Sequence, residues 1–569
     1  MRYTLFLFHL VFLTPVFSQS KTLPHEVIVT INDRIRENLN PSIAIGIIDK
    51  NGPRYYSFGT TKQDGKKVNE HSIYEIGSIS KVFTATLLAD QVVKGNMSTE
   101  DPIEKYLPSD LKIPAYEGHS ITLGQLSDHT SSLPRMPDNF HPADDQNPYA
   151  DYSVQQIYEF LASHTLRRPV GSEYEYSNLA VGLLGHILSL HAKTSYEQLL
   201  EDIITGPLDM TETKIVFDKN MKNHLAFGHH EGTQVVNWDL PTLAGAGGIR
   251  SSVYDMLKFL AAQMKLMNTP LQEAIELTHQ PRHLISEDEK VGLGWHIVNS
   301  GIGDLILHEG ATGGYSSFAG FSKEKGIGVV VLTNSNKDAG DIGMHLLDPS
   351  SPLMDVKPQI TTVLQDYIKT NGADGLIEKF DELTKKDPGK YAYSEMNFNQ
   401  LGYYYLNQKN FKAADAVFLL NIREYPNSSN VYDSYAESRM EAGHKEDAIL
   451  YYQKSLELNP ANMNAISMLS SLGVNYTVKE VQVDTATLDK LTGTYQLFPG
   501  FNIIVTRSDQ QLWAQATGQN NYEIFPKSEL EYYYKVVDAQ IRFIPGPDGS
   551  IQSLSIHQNG KDTIGKKIK

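Results

Sequence analysis

Ser78 and Lys81 stand three residues apart in Glu75-Ile76-Gly77-Ser78-Ile79-Ser80-Lys81, at the head of a helical pattern that runs to Val93. Residues at i and i+3 share a helix face. A serine at that helix start lies where free N–H groups and the dipole favour a developing negative charge. A lysine held against it can take the hydroxyl proton if burial lowers the lysine pKa. The chemistry on offer is attack of a serine oxygen on a carbonyl. Ser-x-x-Lys alone is a weak signal, since it recurs at Ser18/Lys21, Ser109/Lys112 and Ser322/Lys325. The first straddles a cleavage region and the other two lack a matching helix start, so context selects Ser78.

Two further stretches fit that chemistry. Tyr176-Ser177-Asn178 precedes a helical pattern over Leu179 to Leu190. Tyr-x-Asn also occurs at Tyr405 and Tyr425, so position carries the reading. A phenol near a Ser/Lys pair could relay a proton to a leaving group. His308-Glu309-Gly310-Ala311-Thr312-Gly313-Gly314-Tyr315 comes just before the apolar strand pattern ending at Thr333. Gly310 lets a substrate approach the backbone, and the N–H of Ala311 could point at an oxyanion.

The elements that must hold these residues fall into three blocks. Residues 24–345 mix strand-like runs, such as Ser42 to Asp49 and Ile327 to Thr333, with helical stretches and Pro/Gly-rich loops. This predicts one α+β enzyme domain over 21–350. Residues 398–460 repeat at a period of 34: Phe398 with Tyr432, Ala414 with Ala448, Phe418 with Tyr452, Pro426 with Pro460. That spacing resembles the tetratricopeptide repeat, a helix–turn–helix unit, and predicts a helical-repeat domain over 351–475. Residues 360–395 fit a third, degenerate unit. Six short strand patterns between Asn502 and His557, with turn signals at Pro547-Asp548-Gly549 and Asn559-Gly560, predict a small antiparallel β-barrel domain over 483–569.

Composition bounds the function. The 569 residues carry 50 Lys+Arg against 67 Asp+Glu, a net charge of −17, which argues against nucleic acid as the main partner. There is no cysteine, hence no disulfide, Cys-based zinc site, iron–sulfur cluster or thiol nucleophile. Residues 1–20 pair Arg2 with an apolar run from Leu5 to Phe17 and small residues at Val16, Ser18 and Ser20. This is the pattern of a cleaved signal peptide. The run is about 13 residues, short of the ~20 a spanning helix needs. The expectation is an exported protein, periplasmic or secreted, with no transmembrane segment.

In this order, the three motifs resemble the serine β-lactamase and penicillin-binding-protein superfamily. The similarity is greatest to its branch of class C β-lactamases, D-stereospecific peptidases and β-lactamase-like esterases. Leu126 to Pro134, Gly245 to Phe259 and Val291 to Trp295 also look like that branch. The resemblance implies a β-lactamase-like fold, an antiparallel sheet flanked by helices plus an all-helical subdomain. It implies Ser78 as acylated nucleophile, Lys81 and Tyr176 as the proton-transfer pair, and the N–H groups of Ser78 and Ala311 as oxyanion hole. Asn178, His308 and Gly310 are implied at the substrate, with no metal and no cofactor. Two positions depart from the pattern. His308 stands where true β-lactamases have Lys, and Ser132 where the branch has Gly. Residues 485–569 resemble the lipocalin-like β domain of other bacterial members.

His224, His229, His230 and Glu231 could be read as a metal cluster, but a polar loop fits better, since adjacent side chains on a strand point apart. The sequence thus predicts an exported serine hydrolase acting on an amide or ester, a D-amino-acid peptide or small ester. The alternatives are a β-lactamase proper and a catalytically idle scaffold that binds peptides through its repeats. The partners expected are a small-molecule or peptide substrate and a protein held by the helical repeats.

Overall fold

The computed structural model describes residues 22–568 except 63, 477–480, 499–500, 518, 520, 538 and 559–560. The expected signal peptide and the Asn559-Gly560 turn lie outside these residues. No described helix is long and apolar enough to cross a membrane.

The run Ser42–Asp49 (β1) is buried along its whole length. Apolar, β-branched residues suit a strand covered on both faces. A hairpin pairs it with Gly52–Gly59 (β2), Asp49 opposite Gly52. The rest of its sheet comes from the far end of the block: His283–Leu284 (β3), Glu289–Val291 (β4), His296–Asn299 (β5), Asp304–Ala311 (β6), Ser316–Ser322 (β7) and Ile327–Thr333 (β8). The eight strands run β2-β1-β8-β7-β6-β5-β4-β3, antiparallel throughout. Strand alternation splits the core in two. Ile43, Ile45 and Ile47 face helices His25–Arg36 and Gly340–Leu347. Ala44 and Ile48 face helix Val253–Gln263 and the larger apolar cluster beyond it.

That cluster surrounds helix Ser80–Val93, every residue of which from Ser80 to Asp90 is buried. A helix buried on all sides belongs at the centre of a domain. Helices Asn178–Ala192 and Gln272–Thr278 pack against it, and Val154–Ser163 joins the same apolar cluster.

Beyond residue 350 the chain is helical and then all-β. Helices Glu395–Asn407 and Phe411–Glu424 are followed by Ser429–Glu441 and Lys445–Leu458, each boundary 34 residues after its counterpart. Buried Phe398, Ala414 and Phe418 fill the first pair, and buried Ala448 and Tyr452 the second. Two helices precede them, Ile360–Asn371 and Leu376–Lys386, where the degenerate unit was expected. Met463–Ser471 follows.

The last block is a closed barrel of eight antiparallel strands. Six of them, from Phe501–Ser508 to Ile551–Gln558, fall where the pattern places them. The pattern misses the first and last, Gly493–Phe498 and Lys561–Lys567, which pair to close the ring through Tyr495 and Lys567. Helix Thr485–Leu491 adds Leu488 and Leu491 to the barrel core.

Candidate active site

Ser78 sits in a single 3-10 turn, Gly77–Ile79, that feeds directly into helix Ser80–Val93. Neighbours pin this turn from both sides. Ser317 Oγ on β7 donates to the Ile76 carbonyl at 2.8 Å, and Ser80 Oγ accepts from Ile249 N at 3.1 Å. Two glycines bring the turn against the end of β6. Gly77 has φ +49°, and a β-carbon there would lie 2.7 Å from Ala311 N. A β-carbon on Gly310 would lie 3.0 Å from Ser78 N and 2.1 Å from the Ile76 oxygen. The backbones of Ser78 and Ala311 are therefore neighbours, as two oxyanion donors must be. The absent side chain at Gly310 makes room for the protein's own nucleophile turn.

Lys81 is 1 % exposed. Its Nζ stands 3.0 Å from Ser78 Oγ, 2.8 Å from Asn178 Oδ1 and 2.7 Å from the Ala246 carbonyl. Asn178 opens its helix because Ser177 caps it, its side chain accepting from Ala180 N. Ala246 belongs to the Gly245-Ala246-Gly247-Gly248 stretch that packs on the lysine helix. Burial drives the Lys81 pKa well below that of an ordinary lysine, and the Arg135 guanidinium pushes the same way.

Tyr176 lies over this pair, its ring centre 4.8 Å from Lys81 Nζ. Burial pushes its phenol up to about 12, against the opposing pull of its hydrogen bond to Ser78. Two histidines back the tyrosine. His129 stacks on its ring at 4.5 Å, and His308 lies 6.5 Å away, centre to centre. His129 Nδ1 accepts from Ser177 N, whereas His308 Nδ1 donates to the Glu309 carbonyl. Burial holds both rings far below the ordinary histidine pKa, so both are neutral.

The structure thus brings Ser78, Lys81, Tyr176, Asn178, His308, Gly310 and Ala311 to one place. Ser132 keeps the backbone that glycine would favour, at φ +63°, and its hydroxyl donates to the Arg168 carbonyl at 3.0 Å. The histidines set aside as a cluster go to separate carbonyls: His224 to Asn220, His229 to Asn334, His230 to Gly313.

Sequence reasoning missed two positioning groups. Glu75 and Arg250, each 3 % exposed, approach to 3.6 Å beneath the site. Glu75 accepts from Asn237 Nδ2 at 2.9 Å and Trp238 N at 3.0 Å, so the pair fixes the Trp238 segment that lines the cavity with Ser78 and Tyr149. Arg135 is the other. It follows the quoted Leu126–Pro134 stretch, and its carbonyl accepts from Asn178 N at 3.0 Å and Leu179 N at 3.3 Å. Neither has a local sequence signal, since Glu75 meets its partner only across the fold.

A family model described as Beta-lactamase matches residues 31–347. The chain belongs to the β-lactamase family. A second model, a domain of unknown function (DUF3471), matches residues 477–567, the barrel region. A β-lactamase of Escherichia coli (strain K12) is 27 % identical over 344 residues, covering 54 % of this chain and 87 % of its own. A β-lactamase of Pseudomonas fluorescens is 25 % identical over 342 residues, covering 54 % and 92 %. The D-alanyl-D-alanine-carboxypeptidase/endopeptidase AmpH of E. coli (strain K12) is 28 % identical over 310 residues, covering 52 % and 79 %. These relatives and the family match make the chain a serine hydrolase.

Proposed function

We propose that the protein is an exported serine hydrolase that cleaves amides or esters, D-amino-acid peptides or small esters, through an acyl-enzyme on Ser78. The observation that carries this reading is the set of contacts around Lys81 Nζ. A neutral amine has two protons and one lone pair. Asn178 Oδ1 and the Ala246 carbonyl are both acceptors, and they use the two protons. The lone pair is left for the proton of Ser78, 3.0 Å away.

In the first step the Ser78 proton passes to Lys81, and a bond forms from Ser78 Oγ to the carbonyl carbon. The carbonyl oxygen becomes an oxyanion against the N–H groups of Ser78 and Ala311. With a pKa near 12, Tyr176 holds its proton at neutral pH and is the acid. It gives that proton to the leaving nitrogen or oxygen as the bond to carbon breaks, and Lys81 returns one to the phenolate. Water then attacks the ester, releasing the acid and restoring Ser78. His308 and Asn178 line the path of the substrate.

The test is intact-mass spectrometry after a fluorophosphonate probe. One adduct is expected, on Ser78, and none in Ser78→Ala. An adduct that survives in Ser78→Ala sinks the assignment.

A further inference from the structure

We propose that Tyr149 is a gate over Ser78, held shut by a latch between Asn147 and Asp239, and that a substrate reaches the nucleophile only when this latch parts. The inference rests on the acyl-enzyme reading above. Acylation needs room for a carbonyl group and the substituents on either side of it, beside Ser78 Oγ and the N–H groups of Ser78 and Ala311. The cavity at Ser78 measures about 30 Å³. That is room for about two water molecules. Tyr149 and Trp238 close it, their ring centres 5.3 Å apart. The Tyr149 side chain also reaches Asn178, the residue that bonds Lys81. The phenol therefore stands where a substrate must pass.

The two walls are held differently. Trp238 N donates to Glu75 at 3.0 Å, its carbonyl accepts from Arg250, and its indole lies against Gly313, where a β-carbon would come within 2.6 Å of Nε1. Glu75 and Arg250 are buried, so this wall is fixed. Tyr149 belongs to residues 128–153, which carry no helix or strand. A loop of that length inside a compact domain is usually a lid or a binding loop. The ring behind Tyr149 is Phe140, 5.1 Å away on the same loop, so the two move together. A reciprocal pair holds this loop across the cleft. Asn147 Nδ2 donates to Asp239 Oδ2 at 3.1 Å, and Asp239 N donates to Asn147 Oδ1 at 2.8 Å. Arg250 donates to Asp239 Oδ1 at 3.1 Å, so Asp239 stays with the fixed wall. Both latch bonds are exposed, and water replaces such bonds readily. Outside the latch lies a groove of about 800 Å³. Asn147 and Asp239 line it, and Leu240 lines both the groove and the Ser78 cavity. Parting the latch joins the two and makes the room that a substrate needs.

The test compares acylation of Ser78 by two fluorophosphonates, one with a methyl substituent and one with a bulky alkyl chain, read by intact mass. A gate acts before either probe arrives, so both rates should change by one factor, whereas a fixed wall discriminates by size. Asn147→Ala removes both latch bonds and is expected to quicken both probes about 5- to 100-fold, the population shift that two such bonds give. A folded Asn147→Ala that slows both probes, or leaves both rates within about twofold of wild type, less than one hydrogen bond gives, overturns the gate. Asn147→Cys with Asp239→Cys supplies the opposite arm, because the natural chain has no cysteine to compete. Once closed by a disulfide, as verified by mass, this variant should take up neither probe, and reduction should restore acylation. A disulfide-closed chain acylated as fast as its reduced form also overturns the gate. An adduct on Ser78 that the latch variants leave unchanged sinks the gate alone. An adduct that survives in Ser78→Ala sinks the acyl-enzyme reading and the gate with it.

Discussion

A methyl group on Gly310 would put its carbon 2.1 Å from the Ile76 oxygen, 2.5 Å from Ser317 Oγ and 3.0 Å from Ser78 N. Carbon meets a heavy atom comfortably at about 3.5 Å. The Ile76 oxygen is backbone and is already held by Ser317, so no rotamer change relieves the contact. The nucleophile turn and the end of β6 must part by roughly 1 Å. A displacement of that size at a reacting centre costs about 100-fold, and loss of one oxyanion donor costs about 100- to 1000-fold. Gly310→Ala is therefore expected to slow acylation of Ser78 by about 100- to 1000-fold. Overpacking of this kind costs about 1–3 kcal/mol, which a domain of ordinary stability survives. The assay is the rate of fluorophosphonate adduct formation by intact mass, with circular dichroism melting as the fold control. Adding Ser317→Ala removes only the movable obstacle, so the double variant should recover little. A folded Gly310→Ala that acylates within about threefold of wild type would refute the link between this contact and the oxyanion site.

Four further outcomes are expected. Acylation should rise with pH as Lys81 loses its proton, with a midpoint below the ordinary 10.5, and Lys81→Arg, which keeps its proton, should abolish that limb; a pH–rate profile checks both. Because the folded chain holds the Lys81 proton less tightly than the unfolded chain, this group's contribution to stability should rise with pH from the depressed value up to 10.5, as urea unfolding of wild type against Lys81→Met would show. Arg250→Met leaves Glu75 buried without its cation and should cost about 3 kcal/mol at alkaline pH; burial already raises the Glu75 pKa, so the loss should shrink toward acid pH as the carboxyl takes a proton. A fragment of residues 21–350 should still be acylated on Ser78 by a small probe, because every contact named around Ser78 comes from residues before 318; a folded fragment that resists the probe would place part of the site in the C-terminal blocks.

The parts of this protein that could be read from sequence are those whose cause is local. Ser78 and Lys81 share a helix face because they are three residues apart, and the helix pairs after residue 394 announce themselves by recurring. The barrel strand Lys561–Lys567 was missed for a physical reason. Its residues are mostly polar, and its place is secured by backbone pairing to Gly493–Phe498 and Ile551–Gln558 and not by an apolar stripe. Glu75 and Arg250 were missed because burial makes them partners and 174 residues separate them, so nothing near either one names the other. The sequence places Gly310 beside substrate, and the atoms in the way of a β-carbon there are Ile76 O, Ser317 Oγ and Ser78 N. A close approach between two segments of one chain looks the same in sequence as a close approach to a ligand.

Protonation is the property that no spacing shows. In water a lysine and a tyrosine lose their protons at nearly the same pH, about 10.5 and 10.0, and neither is a ready base at neutral pH. Burial acts on them with opposite sign, because the charged form of lysine carries the proton and the charged form of tyrosine has lost it. Desolvation lowers Lys81 and raises Tyr176 to about 12. In the proposed mechanism one physical cause thus suits the lysine to be the base and the tyrosine to be the acid. It also neutralises His129 and His308, the other two buried basic groups at the ring. What escapes burial keeps its charge, and at this ring that is Arg135.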